Sequence, residues 1–167
     1  MKSTTTKKLA FLSVAIALAM ILSFVESQIP PLSAVPGVKI GLANIVSLFI
    51  LYRLGWREAV CVSLVRVLLS ALLFGSFVSL TYSAFGAALS LIAMIAAKAL
   101  LPFSPIGVSV IGALMHNVGQ IIAAWIYLGN GAVVYYLIPL AISGTLAGIA
   151  VGVLGGIVAE RVRIKTR

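Results

Sequence analysis

An all-α integral membrane protein, with six transmembrane helices and both termini in the cytoplasm, is the fold class this sequence predicts. Three observations predict it. The chain is 62% hydrophobic and 9% charged, with mean hydropathy +1.23. Soluble domains carry about a quarter charged residues, so this chain has too little polar surface to cover itself in water. Its 167 residues divide into apolar runs close to the ~20 residues that span a bilayer, with turn signals between them. The basic residues sit beside those runs, mostly at every second boundary, the bias that orients membrane proteins. The length fits a single membrane domain, residues 1–167.

The formal net charge is +9 and the pI about 10.2. In a soluble protein that would point to nucleic acid. Here orientation in the bilayer accounts for the cations, and no nucleic-acid partner is expected. Cys61 is the single cysteine, which excludes an internal disulfide and any multi-cysteine metal site. The three acidic residues are Glu26, Glu58 and Glu160. With no aspartate, no mechanism built on aspartate-rich metal binding can reside in this chain alone. Neither a metal nor a cofactor is expected.

The elements follow in order. Lys2, Lys7 and Lys8 precede an apolar run, residues 9–25. A cleaved signal peptide opens in the same way, but this run is long enough to span and no clean small-residue cleavage site follows it. It is expected to be helix 1, retained, entering from the cytoplasm. The stretch Glu26–Asn44 then reads E-S-Q-I-P-P-L-S-A-V-P-G-V-K-I-G-L-A-N. Pro30, Pro31, Pro36, Gly37 and Gly41 shape its backbone, and a plain connector needs no such set. It is expected to lid or line a polar site at the outer membrane face.

Helix 2, residues 38–52, is roughly 22 Å long against a ~30 Å core. It is short, tilted, or begins inside the membrane as the discontinuous helices of transporter sites do. Arg53, Gly55, Trp56, Arg57 and Glu58 make a cytoplasmic turn. Helices 3 (59–74), 4 (78–97) and 5 (106–128) follow, the last ending at Gly129-Asn130-Gly131, a turn signal. Helix 6 covers 133–158 before a basic tail. This arrangement puts Lys2, Lys7, Lys8, Arg53, Arg57, Lys98, Arg161, Arg163, Lys165 and Arg167 inside, leaving only Lys39 and Arg66 elsewhere. Five helices would break that pattern. Trp125, Tyr127, Tyr135 and Tyr136 make an outer aromatic belt, and Trp56 an inner one.

Arg66 stands near the middle of helix 3, where an arginine costs about 2.5–3.5 kcal/mol on insertion scales. It is either a structural charge satisfied by Glu26 or by helix carbonyls, or part of a binding site. His116, Asn117 and Gln120 share an arc of helix 5. They serve either interhelical hydrogen bonding or a polar site at the depth of Arg66. Lys39 and Glu26 flank the loop, as an ion pair pinning it or with Lys39 as an anion contact. Asn44 can hydrogen-bond a ligand or a neighbouring helix. Gly144, Gly148, Gly152 and Gly156 form a smooth ridge on helix 6 for close helix packing; packing within the chain is favoured over packing with another. Ala15 and Ala19 are a small-residue pair on helix 1.

Four stretches carry a family resemblance: P-P-L-S-A-V-P-G-V-K-I-G-L-A-N-I-V (Pro30–Val46), G-W-R-E-A (Gly55–Ala59), R-V-L-L-S-A-L-L-F-G (Arg66–Gly75) and M-H-N-V-G-Q (Met115–Gln120). Together they resemble the bacterial membrane family described as Gx transporter or heptaprenyl diphosphate synthase component I, across nearly the whole chain. That family is similar in turn to the substrate-binding S components of energy-coupling-factor (ECF) transporters. The resemblance implies six helices with both ends inside and a loop between helices 1 and 2 that lids an outward-facing site. It also implies small residues on helix 1, here Ala15 and Ala19, that meet a transmembrane coupling subunit. Trans-prenyl diphosphate synthases hold magnesium and diphosphate with aspartates, which this chain lacks. It also lacks a P-loop, so ATP-driven transport requires partner ATPases.

Three functions follow as expectations. The first is a small-molecule-binding transport component for a ligand with an anionic group, seated among Arg66, Lys39, Asn44, His116, Asn117, Gln120 and Glu26. Its surroundings are bacterial cytoplasmic membrane lipid, and its partners an ECF-type coupling subunit and ATPases. The second is a non-catalytic accessory subunit of an isoprenoid or quinone-pathway enzyme, for which the basic tail and the Gly55–Glu58 turn matter most. The third is a flavin- or quinone-handling component of electron transfer, which would be coloured when purified.

Overall fold

The computed structural model describes residues 2–28, 41–74, 77–100 and 102–162. These form six α-helices and one 3-10 helix: α1 (Lys2–Gln28), α2 (Asn44–Arg53), α3 (Trp56–Phe74), α4 (Phe77–Leu100), α5 (Pro105–Leu128), the 3-10 turn Gly131–Tyr136 and α6 (Leu137–Arg161). No strand occurs among the described residues.

Four segments are long and apolar enough to cross a membrane: Thr6–Glu26, Phe77–Leu100, Pro105–Leu128 and Gly131–Arg161. The other two helices do not qualify on length and composition. The α2 helix has 10 residues, about 15 Å, because Gly41, Leu42 and Ala43 precede it as turn rather than as the helix expected from residue 38. The α3 helix carries Arg57, Glu58 and Arg66 within 19 residues. Residues 29–40, with Lys39, Pro30, Pro31, Pro36 and Gly37, lie outside the described residues.

Helix ends follow local chemistry. At the start of α5, Ser104 accepts a hydrogen bond from the Gly107 N–H at 3.3 Å and Pro105 occupies the first turn, where its missing N–H costs nothing. The same helix ends at Gly129, whose φ of +60° and N–H bond to the Trp125 carbonyl at 2.9 Å make a left-handed cap. Helix 6 was expected from residue 133. Instead Asn130 Oδ1 accepts from the Ala132 N–H at 2.9 Å, a 3-10 turn follows, and α-helix begins at Leu137. Pro139 then sits in the first turn, the one place in a helix that tolerates it.

The short α2 helix is the hub. Val46, Ser47, Leu48, Phe49, Ile50 and Leu51 are all buried, as expected of a helix that is apolar all round. The apolar ones among them share a core with Ala15 and Ala19 of α1, Ala59 and Val62 of α3, and Leu91 and Met94 of α4. Ala15 is 7% and Ala19 0% exposed. That pair therefore packs inside the chain. At one end of the bundle Lys8 pairs with Glu58. Arg53 donates to the Glu160 carbonyl at 3.1 Å, and Lys98 donates to the Leu51 carbonyl at 2.6 Å while lying over the Tyr52 ring. These contacts gather the ends of α1, α2, α3, α4 and α6.

The opposite faces of α4, α5 and α6 meet through glycine. A Cβ on Gly148 would stand 2.7 Å from the Val110 Cα, and one on Gly152 would stand 2.6 Å from the Ile106 Cα. One on Gly144 would strike the Asn117 amide, whereas Gly156 has only ordinary contact with Pro105. The glycine ridge thus lies on α5 of the same chain. Gly119 of α5 meets the Phe85 carbonyl and the Gly86 Cα of α4 just as closely.

Candidate functional site

A polar cavity of about 100 Å³ opens between the end of α1, the start of α2, the second half of α3, the first half of α4 and the middle of α5. Local periodicity explains its lining. Ser23 and Glu26 are three apart on α1, Arg66 and Ser70 four apart on α3, and Ser79 and Ser83 four apart on α4. Each pair lies on one face of its helix.

Arg66 is the cation of the site. Its Nη1 donates to Ser23 Oγ at 3.2 Å, while its Nε is buried with no hydrogen-bond partner. Glu26 interacts with it electrostatically without a direct ion pair. Instead, Glu26 Oε1 accepts the Gly41 N–H. Gly41 has φ +79°, a left-handed conformation that favours glycine. Its carbonyl accepts the Asn44 N–H at 2.8 Å, the turn that launches α2. The one carboxylate of the cavity is thus partly committed to holding the α1–α2 connection, which leaves Arg66 undercompensated. Ser70 Oγ is also buried without a partner. Buried polar groups are ordinarily paired, and these two donors of the cavity wall are not.

His116 enters from α5. Gly86 makes room for it: a Cβ at that position would stand 2.7 Å from the imidazole. The sequence placed His116, Asn117 and Gln120 together, and the fold separates them. Only His116 lines the cavity. Asn117 turns to α6, donating to the Leu140 carbonyl at 2.7 Å across from Gly144. Gln120 is 3% exposed and is not part of the cavity wall. One step along a helix rotates a side chain by about 100°, enough to send neighbours into different interfaces.

Of the residues singled out from sequence, Arg66, Glu26, Asn44 and His116 meet in this cavity. Lys39 lies outside the described residues. Sequence reasoning missed the serines Ser23, Ser70, Ser79 and Ser83. The signal for them was their spacing of three or four from Glu26, from Arg66 and from each other.

Comparison with known proteins finds no match among curated proteins and none among solved structures. The model of one family, heptaprenyl diphosphate synthase component I, matches residues 15–158. The match runs from the middle of α1 almost to the end of α6 and takes in every residue of the cavity wall, so the chain belongs to the heptaprenyl diphosphate synthase component I family.

Proposed function

We propose that this protein is a membrane-embedded small-molecule-binding component. It spans the bilayer six times with both termini in the cytoplasm and seats a ligand bearing an anionic group against Arg66. The observation that carries this reading is the buried, unpartnered Nε of Arg66 at the wall of a polar cavity. A charge held in a membrane protein at this cost is a functional group by default, and guanidinium binds carboxylate and phosphate in a forked geometry. Ser23, Ser70 and His116 surround it with further hydrogen-bonding groups. The chain binds and reorients its ligand without chemistry, in the manner of an ECF S component, and a separate coupling subunit and ATPases drive it.

The family match supports a second reading, in which the chain is the membrane accessory subunit of a two-component prenyl diphosphate synthase. With no aspartate in the sequence, prenyl transfer would belong to the partner chain, and the cytoplasmic turn and tail would be the docking surface.

Native mass spectrometry of the protein purified gently from its host, with extraction of co-purifying small molecules, tests both. A stoichiometric ligand lost in Arg66→Ala supports the binding component. An empty protein that retains a soluble prenyltransferase, unaffected by Arg66→Ala, overturns it in favour of the accessory subunit.

A further inference from the structure

An apolar groove of about 400 Å³ runs between α3 and α4. Ser63, Val67, Ala87 and Leu91 form its buried floor, and Leu64, Leu68 and Ile92 its exposed rim. Val67 belongs to the wall of both this groove and the polar cavity. The two therefore adjoin at Val67, one residue from Arg66.

Their order along the helices is consistent. On α3 the cavity takes Arg66, Val67, Ser70 and Ala71, and the groove takes residues from Val60 to Leu68. On the antiparallel α4 the cavity takes Ser79 and Ser83, and the groove takes residues from Leu80 to Ile95. The polar end lies toward the α1–α2 connection. The apolar groove runs away from it, roughly 12 Å along α3 and 22 Å along α4.

We infer that the ligand is a single-chain amphiphile, with an anionic headgroup on Arg66 and a hydrocarbon chain in the α3–α4 groove. This inference deepens the binding-component reading and rests on it. Charge complementarity sets the direction: Arg66 lines the cavity, whereas the groove wall itself carries no charged side chain and almost no polar surface. Its volume falls within the range of small-molecule sites, and a slot walled by one helix on each side admits one chain. The exposed rim lets the chain enter sideways from the bilayer, so that only the headgroup has to reach the cavity.

The test measures binding of hexadecyl phosphate to the full-length protein in detergent by native mass spectrometry, beside hexadecanol, inorganic phosphate and phosphatidylglycerol. Two variants accompany the wild type. Arg66→Ala removes the cation. Ala88→Phe fills the groove from an exposed position, where folding is least at risk. The expected result is stoichiometric binding of hexadecyl phosphate alone. That binding weakens about 10- to 100-fold in Arg66→Ala, the range of a lost charged hydrogen bond, and by at least about tenfold in Ala88→Phe. Binding unaffected by Ala88→Phe, or inorganic phosphate binding as tightly as hexadecyl phosphate, overturns the groove while leaving the Arg66 site intact. Binding unaffected by Arg66→Ala overturns the Arg66 site as well. Phosphatidylglycerol binding with the same dependence on both residues overturns the single-chain assignment.

Discussion

The seam between α5 and α6 and the cavity between α1, α3 and α4 are built on opposite principles. At the seam, glycines remove every obstacle: Gly148 and Gly152 bring one helix against the Cα atoms of the other. One polar side chain there, Asn117, donates to the Leu140 carbonyl. At the cavity, helices stand apart and polar atoms remain unpaired, Arg66 Nε and Ser70 Oγ among them. In lipid no hydrophobic force drives helices together, so close van der Waals contact supplies stability. The seam has that contact and the cavity gives it up. Close packing and open polar space therefore lie in different parts of the same bundle.

The largest effect that can break this comparison is at the seam. Gly148→Val forces atoms into a space already 2.7 Å from the Val110 Cα and is expected to cost about 3 kcal/mol, the upper end of ordinary overpacking. Thermal unfolding in detergent measures it, and an unchanged midpoint would show that the seam does not hold the bundle. Arg66→Met tests the other half. Replacing a buried charge by an apolar side chain of similar size is often neutral or stabilising by about 1–4 kcal/mol. The empty variant should melt no earlier than wild type while losing its co-purifying ligand; a large loss of stability would make Arg66 structural.

Smaller effects sharpen the contrast. Asn117→Ala should cost about 0.6 kcal/mol, the average for interhelical hydrogen bonds in a membrane, with no effect on ligand binding. Loss of ligand there would join Asn117 to the site after all. The smallest effect is expected at the end of the bundle where Lys8 meets Glu58. The hydrogen bond from Lys8 holds the Glu58 carboxyl below its ordinary value. Its contribution is therefore present above the ordinary glutamate value of about 4.3 and is lost as pH falls through the lower folded value. The Lys8 side chain is 41% exposed, so solvent screening limits the pair to less than about 1 kcal/mol. A Glu58→Gln variant should lose a correspondingly small part of the acid limb of its stability profile and change nothing at neutral pH beyond that amount.

The cavity was only partly legible. Arg66 announced itself because a charge in an apolar run has no cheap place to go. Glu26 and Asn44 were visible at the edges of a proline-rich interruption. The cavity serines were not, since serine occurs on packed and open faces alike and its role depends on what lies opposite. Spacing placed His116, Asn117 and Gln120 on a common arc, but an arc can straddle two interfaces. Gly86 on α4 and Gly144 on α6 draw His116 and Asn117 in different directions.

By itself the sequence determined the helical class, helices long and apolar enough to cross a membrane, and the glycine ridge. Composition decides which medium can cover a surface, and a repeat of four repeats on one side of a helix wherever the helix lies. Tertiary structure decided which helix that ridge meets, why Ala15 and Ala19 are interior, and that α2 is a buried hub of 10 residues. It also decided that the polar cavity and an apolar groove share Val67 as a wall residue. Each of these depends on residues far apart in the chain being brought together, and periodicity within one helix carries no record of its neighbours.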